Sequence, residues 1–435
     1  MAVRDGELVR LLGWPAGVNN VAREDATPRD ALRQAVNVDL TPEGKPQRRR
    51  GYTQRVAGES HSAIAFAGHL LAVTEGVLTA YAASWDGTAL VSGFSAARLA
   101  YAEVAGQLYW SDGNRIGRID EALDPAPVWT DCPGQPTLTA LAYGGLAAGV
   151  YQVAVTYSDT AAYAYDTAWR ESGSSQAVLV TVPAGGGIQL SSILPNTDAT
   201  SVRIYVSGAN GDVLLHVLDI PTGQSSAIIG AGPRGKQLDT QFCEPMPPAT
   251  TMTMYNGRLY AANGNVLRWS LPFAYGLWHP DNYVEIDADI TMLEPAGDKG
   301  LFIGSDKPNR IDGRTYFARG LDPSSWVLGI AQAHGVVPGS SLQVPGTALG
   351  LDTPDDVPYW LSRSGQFCYG DENGRVTRLT AGRFVTQQAG GEGATLLREE
   401  NGLTQLITSL LGGSSNMMAM SDSAVATVRR HGAAT

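Results

Sequence analysis

The chain has 435 residues, of which 51 are glycine and 24 are proline and only 17% are charged, a composition typical of many short strands and turns. Its formal net charge of −11 argues against general nucleic-acid binding, which needs a basic surface, although an acidic lining would let DNA slide past without sticking. The sequence starts without an apolar signal core and contains no stretch as long as a membrane span, so we expect a soluble protein with no membrane contact.

Residues 1–55 differ from the rest of the chain and predict an extended N-terminal arm. The arm contains a Gly/Pro/Asn-rich segment at 13–20, at most a short turn of helix at 31–35, an alternating strand at 36–40 and a basic cluster at 45–52. Because so little of it is apolar, we expect the arm to lie on its own chain or on a neighbouring subunit. Three arginines make a weak footprint for nucleic acid, which favours a solvated or subunit-facing role for the basic cluster. The residues assigned to this assembly arm are Trp14, Pro15, Asn19, Arg48, Arg49 and Arg50.

Two segments, residues 106–116 and 257–267, have nearly the same pattern of residues. Each consists of an alternating apolar strand, an Asp/Asn-Gly-Asn turn and a second strand, which predicts a β-hairpin. Asp-Gly or Asn-Gly supplies the positive φ that a type I′ turn needs. The residues that define the two hairpins are Gly106, Tyr109, Asp112 and Gly113 in the first, and Gly257, Tyr260, Asn263 and Gly264 in the second.

Looser copies of the pattern begin near Gly68, Leu301 and Tyr359. The copy near Gly68 precedes the first clear hairpin by about 38 residues and the copy near Leu301 follows the second by about 43, which is close to the repeat length of roughly 40 to 50 found in four-stranded propeller blades. The copy near Tyr359 is weaker. The repeat therefore predicts a β-propeller, with its first blades in residues 56–135 and the others in residues 246–400.

The interval between the two clear hairpins is too long for one blade and leaves roughly 113 residues over. Residues 136–245 contain six or seven short segments rich in β-branched and aromatic residues, separated by Gly, Pro, Asn and Asp. This pattern predicts an inserted β-sandwich of the immunoglobulin or fibronectin type III kind. Residues 401–435 contain two further apolar segments, at 401–411 and 424–428, which we interpret as closing strands.

Three segments of the chain resemble a known family. They are GWPAGVNN followed by ALRQAVNVDLTPEGKPQRRRGY in the arm, GVYQVAVTYSD followed by RESGSSQAV, and VRIYVSGANGDV. These segments are similar to the tail nozzle (tubular B) and packaged-DNA stabilisation proteins of short-tailed phages, in which a sandwich is inserted between propeller blades. A tail-tip or hub component of a long-tailed phage would have a similar sequence.

The resemblance implies a structural component of the phage tail, assembled in the host cytoplasm and located in the virion. The partners that it implies are further copies of the chain in a homo-oligomeric ring, other tail or adaptor proteins, and DNA in non-specific passage during ejection.

The enzyme motifs that we considered are absent from the sequence. There is no Gly-x-Ser-x-Gly, phosphate-binding loop or His-Glu-x-x-His. Three scattered cysteines and six isolated histidines do not suggest a disulfide framework, a metal site or a cofactor. Carboxylates keep one alternative open, because a glycosidase pair could be assembled from Asp287, Asp289, Asp352, Asp355 and Asp356.

We therefore predict an all-β protein, a propeller interrupted by a sandwich and preceded by an arm, that acts as a non-enzymatic building block of a phage tail. The alternative is a propeller that binds or cleaves surface glycan during host attachment. A cellular interaction scaffold is a third class, but the chain lacks the repeated Trp-Asp signatures of WD-type repeats, since Trp-Asp occurs once, at residues 85–86.

Overall fold

The computed structural model describes residues 13–35, 38–41, 44–48, 53–129, 131–159, 171–307, 313–386, 391–400, 403–410 and 426–429. In these ranges the only helices are short 3-10 turns, Glu24–Ala26, Pro323–Ser325 and Gly346–Leu349, and nearly all other regular structure is β-strand. The predicted all-β class is confirmed. Among the same residues, no helix is long and apolar enough to span a membrane. The chain divides into two compact units. One unit is Gly58–Ile286, and the other combines Met1–Ala57 with Asp287–Thr435.

The arm forms two small two-stranded sheets. One pairs β1 (Gly17–Val18) with β2 (Ala31–Leu32) in parallel, and the other pairs β3 (Val38–Leu40) with β4 (Pro46–Arg48) in antiparallel. The turn of helix predicted at 31–35 is wrong, because residues 31 and 32 pair with β1 and five residues are too few to nucleate a helix alone. The predicted strand at 36–40 is present from residue 38 onwards, and residues 36 and 37 lie outside the described ranges.

The unit Gly58–Ile286 begins with two sheets of four sequential antiparallel strands. The first contains β5 (Ser60–Phe66), β6 (His69–Thr74), β7 (Val77–Tyr81) and β8 (Gly87–Ser92), and the second contains β9 (Ala100–Val104), β10 (Gln107–Ser111), β11 (Ile116–Asp120) and β12 (Pro125–Ala126). Leu71 and Leu78 of the first sheet share a hydrophobic core with Leu108 and Ile119 of the second. All four are fully buried, because strand alternation turns them to the same side.

Two sheets that share one core follow. A three-stranded sheet, in the order β13-β16-β19, contains β13 (Thr137–Leu146), β16 (Gly186–Ser191) and β19 (Ala227–Ile229). A four-stranded sheet, in the order β15-β14-β17-β18, contains β14 (Gly149–Ser158), β15 (Val178–Val182), β17 (Ser201–Val206) and β18 (Leu215–Pro221). Ile188 and Leu190 of the first sheet and Val153 and Ile204 of the second belong to the same buried cluster. The assignment of this segment to the immunoglobulin or fibronectin type III class, with bounds 136–245, stays a prediction.

The unit Gly58–Ile286 ends with another sequential four-stranded sheet. It contains β20 (Thr251–Tyr255), β21 (Arg258–Asn263), β22 (Val266–Leu271) and β23 (Ala274–Glu285). Trp278 of β23, 1% exposed, joins a buried cluster with Tyr109 of β10 and Leu259 of β21. This sheet therefore packs against the sheet β9–β12, although the segment β13–β19 separates them in the sequence.

The other unit contains two more sequential four-stranded sheets and a three-stranded one. Their strands are β24 (Asp289–Ala296), β25 (Gly300–Asp306), β26 (Thr315–Arg319) and β27 (Val327–Gln332); β28 (Leu342–Pro345), β29 (Asp356–Leu361), β30 (Phe367–Gly370) and β31 (Val376–Arg378); and β32 (Gly393–Glu400), β33 (Leu403–Leu410) and β34 (Ala426–Arg429). Phe302 of β25 and Trp360 of β29 are fully buried and in ring contact, with centroids 5.4 Å apart. Within the described ranges, five sheets thus consist of four sequential antiparallel strands, the form of a propeller blade.

Candidate functional site

The two hairpins of the repeated pattern are formed, but their type I′ turns are not where the sequence predicts them. A type I′ turn needs positive φ at both central residues. Ala105 and Gly106 have φ of 49° and 73°, and Asn256 and Gly257 have φ of 44° and 70°. The glycine that opens each repeated segment is therefore the second central residue of a type I′ turn.

At the other end of each hairpin, the Asp-Gly and Asn-Gly turns have a different geometry. Gly113 and Gly264 have φ of 87° and 58°, whereas the asparagine that follows each of them is not in the positive-φ region. The prediction of a type I′ turn at these positions is wrong. The physical reason is that the central residues of these turns are Gly113–Asn114 and Gly264–Asn265, so Asp112 and Asn263 only flank them. The Asp112 N–H donates to the Arg115 carbonyl at 3.2 Å, and Asn263 pairs with Val266 in the strand register.

The Asp112 carboxylate stabilises its own turn. It accepts hydrogen bonds from the backbone N–H groups of Asn114 and Arg115 at 2.9 and 2.7 Å and pairs with the Arg115 Nε at 2.9 Å. Burial alone would raise the pKa of Asp112, but the hydrogen bonds from Arg115 and Asn114 outweigh it and lower the pKa below its usual value. An ionised Asp112 with these bonds is a turn-forming residue and is poorly suited to act as a proton donor.

These hairpin ends also connect successive sheets. Arg115 donates to the carbonyl oxygens of Ser92 and Gly93 and lies over the Phe94 ring, 4.6 Å from its centroid. The buried hydroxyl of Ser111 accepts from the backbone N–H of Ala249 at 2.9 Å. The sequence analysis identified the hairpins but missed Arg115 and Ser111, whose partners are distant in the sequence.

The two tyrosines of the repeated pattern lie in cores rather than on a binding surface. Tyr260 is fully buried, with the rings of Tyr255 and Trp269 at centroid distances of 6.1 and 6.4 Å. Tyr109 is 6% exposed and makes an edge-on contact with Tyr275 at 6.4 Å. Their role is to pack the sheets.

The opening glycines should be sensitive to substitution because of their backbone conformation. Gly106→Ala and Gly257→Ala are each expected to lower the free energy of unfolding by about 1 to 2 kcal/mol, the cost of a side chain in the left-handed region. The neighbouring Glu121 and Phe273 side chains are close but can move. Gly208→Ala, at a glycine without positive φ and with open space around it, is the control and should be nearly neutral. Urea unfolding of the three variants measures the difference, and equal costs at all three positions would contradict this explanation.

The arm is anchored to its own chain at one asparagine. The Asn20 backbone N–H donates to the Arg383 carbonyl at 3.0 Å, and its side-chain amide donates to the Val385 carbonyl at 2.8 Å. The Val385 N–H donates back to the Asn20 Oδ1 at 3.0 Å. We call these three hydrogen bonds the Asn20 clasp, and the two that involve Val385 join residues 365 positions apart.

Four of the six predicted arm residues, Trp14, Pro15, Asn19 and Arg48, lie in the described ranges. Asn19 is 9% exposed, and its Oδ1 accepts from the N–H groups of Val21 and Ala22 at 3.2 and 3.0 Å, so it shapes the turn that follows. The Trp14 N–H donates to the Gly44 carbonyl at 2.7 Å, and Gly44 lies against the backbone of Pro15. Arg48 is exposed at the end of β4, and Arg49 and Arg50 lie outside the described residues.

The β3–β4 ribbon, which comprises residues 38–41 and 44–48, has one half-buried strand, β3, and one exposed strand, β4. All three residues of β4 are exposed, and β3 and β4 form a sheet with no third strand among the described residues. A two-stranded sheet of this size is marginal in water. The ribbon is therefore suited to being completed by a further surface.

The carboxylates considered for a glycosidase do not form an isolated acid pair. Asp287 accepts a hydrogen bond from the Tyr316 hydroxyl, and its Oδ2 lies 3.8 Å from both the Lys307 Nζ and the Arg314 Nη1. The hydrogen bond from Tyr316 is the main reason why the pKa of Asp287 is lowered, with smaller contributions from the two cations. Asp287 is therefore ionised at neutral pH and is a poor general acid.

The other four carboxylates of that set lie in strands or in the loop before β29. Asp289 lies opposite Asp306 in the register of β24 and β25. Asp355 accepts from the Thr353 hydroxyl at 3.1 Å, and Asp356 begins β29. Asp352 lies in the loop before β29, outside any strand. No group of three or more His, Cys, Asp or Glu side chains in the described ranges could hold a metal ion.

A buried ion pair connects the three sheets β24–β27, β28–β31 and β32–β34. Arg363, in the turn after β29, donates through Nη2 to the Asp306 carboxylate at the end of β25. Its Nη1 donates to the Gly391 carbonyl at 2.9 Å, two residues before β32, and its backbone N–H donates to the Gly335 carbonyl at 2.8 Å. The side chains of Arg363 and Asp306 are 13% and 9% exposed. No motif in the sequence indicated this connection.

Comparisons with known proteins give limited information. No family model and no curated protein matches the chain. Solved structures to which it is similar include a streptogramin B lyase (10% identity, TM-score 0.32, covering 81% of this chain and 90% of that one), the virginiamycin B lyase of Staphylococcus aureus (9%, 0.31, 81% and 91%) and the Pan2 WD40 domain of Neurospora crassa (10%, 0.29, 80% and 86%). Likenesses this distant carry no argument about activity.

Proposed function

We propose that this chain is a structural component of a bacteriophage tail, a nozzle or tail-hub ring that forms part of the DNA exit channel and mediates ring-to-ring assembly. The sequence support is the resemblance of the arm and of residues 149–213 to tail nozzle and packaged-DNA stabilisation proteins. Sheets of four short antiparallel strands are compatible with this role, because they make rigid units without long exposed edges.

The observation that carries the proposal is the two-stranded β3–β4 ribbon, whose strand β4 is exposed. The Asn20 clasp anchors the arm to its own chain, and the ribbon follows without a third strand among the described residues. Residues 44–55 contain five basic and no acidic residues, whereas the whole chain carries a net charge of −11. A basic segment at 44–55, which includes strand β4, and an acidic chain favour docking of the ribbon through β4 on a neighbouring copy or an adjoining tail protein.

The acidic balance of the chain also suits the proposed passage of DNA. A surface that binds phosphate would slow DNA during ejection, and basic residues are what such binding requires. A net charge of −11 reduces this attraction, so DNA would pass without being held. We assign no individual residue to the channel lining.

We further infer that the chain acts without catalysis, as the surroundings of Asp287 suggest. The purified protein is expected to release no reducing sugar from host lipopolysaccharide or capsule, and Asp287→Asn is expected to leave attachment unchanged. Loss of a catalytic carboxylate would instead remove orders of magnitude of rate.

The assay for this prediction is a time course of reducing-sugar release with wild type, Asp287→Asn and Asp289→Asn. A glycosidase of known activity on the same glycan serves as the positive control. Glycan cleavage by the wild type that one of these substitutions abolishes would overturn the proposal in favour of a host-attachment enzyme.

A further inference from the structure

The fold brings together two cysteines that are 111 positions apart in the sequence. The Cys132 Sγ donates to the Cys243 carbonyl oxygen at 3.3 Å. Cys132 precedes β13 and Cys243 follows β19, so the two residues bracket the two-sheet segment β13–β19. Both are free thiols. Although the cysteines are scattered in the sequence, two of the three meet where the chain enters and leaves this segment.

A glycine makes this approach possible. Gly173 lies against both cysteines, and a Cβ at this position would lie 1.8 Å from the Cys243 carbonyl oxygen and 2.7 Å from the Cys132 Sγ. Any side chain here would push the two cysteines apart. The surrounding backbone is held by the hydrogen bond from the Ser174 N–H to the Thr240 carbonyl at 3.3 Å, and by the mutual pair between Glu244 and Trp278 at 2.8 and 2.9 Å.

We propose that Cys132 and Cys243 form a reversible disulfide that ties together the two ends of the segment β13–β19. This modification site goes beyond the proposed assembly role. The bond would close a loop of more than a hundred residues and so restrict the unfolded chain, which is how a disulfide of this span stabilises a fold. It would act on the segment once the protein meets an oxidising medium.

The disulfide forms by thiol–disulfide exchange, in which a small disulfide such as oxidised glutathione is the oxidant. Cys132 reacts first, because it is half-buried whereas Cys243 is 4% exposed. The Cys132 thiolate attacks the glutathione disulfide and releases one glutathione thiolate. The Cys243 thiolate then attacks the Cys132 sulfur of the mixed disulfide and releases the second glutathione. Two protein thiols thus lose two electrons and two protons, and one oxidised glutathione becomes two reduced molecules.

Unlike the thiols of reactive cysteines, the Cys132 and Cys243 thiols are protonated at neutral pH. Burial is the main reason why the pKa of Cys132 and of Cys243 is raised to about 11, and the nearby Asp131 and Glu244 carboxylates add to the effect at Cys132. Since the thiolate is the attacking species, exchange is slow at neutral pH. The reaction should therefore be run at mildly alkaline pH with the oxidant in excess.

The test is peptide mapping of the full-length protein after incubation with oxidised glutathione and alkylation of the remaining thiols. The expected product is a linked peptide pair containing Cys132 and Cys243, which reduction with dithiothreitol separates, and Cys368 alkylated only after unfolding because it is fully buried. Thermal melting of the oxidised protein should shift upward by about 5 °C or more.

Matched variants separate this pair from other thiol chemistry. Cys368→Ser should form the linked peptide as the wild type does, and Cys132→Ser should abolish it. Glutathione bound to both cysteines without an internal link, or a link involving Cys368 in the folded protein, would overturn the proposal.

Discussion

A protein that lacks residues 1–50 is expected to remain folded but to be lost from assembled phage particles, at least tenfold below the wild-type level. The sheets β5–β8 to β32–β34 have buried cores in which the arm has no share. The truncation removes the β3–β4 ribbon with its exposed strand β4, which we propose docks on a neighbouring subunit. Quantitative mass spectrometry of purified particles measures incorporation, and circular dichroism of the purified protein checks the fold.

A point variant separates docking of the ribbon from anchoring of the arm. Asn20→Ala removes the two side-chain hydrogen bonds of the Asn20 clasp, each worth about 1 kcal/mol, and leaves the ribbon sequence intact. It should increase proteolysis of the arm and reduce incorporation less than the truncation does. Glu24→Ala, an exposed change in the arm outside both the Asn20 clasp and the ribbon, is the control for substitution as such. Wild-type incorporation of the truncated protein would show that the arm has no role in assembly.

Replacing Asp306 with leucine is expected to cost about 3 to 5 kcal/mol of unfolding free energy, because it leaves the Arg363 guanidinium buried without its counter-charge. The same change should loosen the connection that Arg363 makes to the Gly391 carbonyl before β32. Urea unfolding gives the free energy, and hydrogen exchange of β25 and β32 shows where the structure opens.

A double variant makes this prediction specific to the ion pair. When Arg363→Met is added to Asp306→Leu, no buried charge remains, so much of the lost stability should return. Asp355→Ala, in an exposed loop, is the control and should change stability by less than about 0.5 kcal/mol. A single variant as stable as the wild type, or a double variant no better than the single one, would contradict the assignment.

Much of the strand content could be predicted from the sequence, because period-two alternation is a local signal. The segments Val150–Tyr157 and Val202–Val206 coincide closely with β14 and β17, and the hairpins at 106–116 and 257–267 are present. What alternation does not report is which residue of a turn has positive φ. The Asp-Gly and Asn-Gly pairs predicted the type I′ turn at the wrong end of each hairpin. The type I′ turns contain the opening glycines, Gly106 and Gly257.

The contacts that connect the sheets could not be predicted, because they join residues far apart in the sequence. Asn20 meets Val385 across 365 positions, and Arg363 meets Asp306 across 57. Asn20 ends the segment GWPAGVNN, which indicates no partner for it, and Arg363 belongs to no motif. Each acts through an ordinary hydrogen bond or ion pair that only the fold brings about. The same is true of Cys132 and Cys243, whose spacing in the sequence suggested no relation.

The measurement that tests the central proposal most directly is immunogold electron microscopy of phage particles, with antibodies raised against the full chain. The account predicts gold particles at the tail of intact virions, in a narrow band consistent with a ring, and the chain present in several copies per particle. Particles without label, in a lysate in which the chain is abundant but free, would contradict the proposal that it is a structural component of the tail.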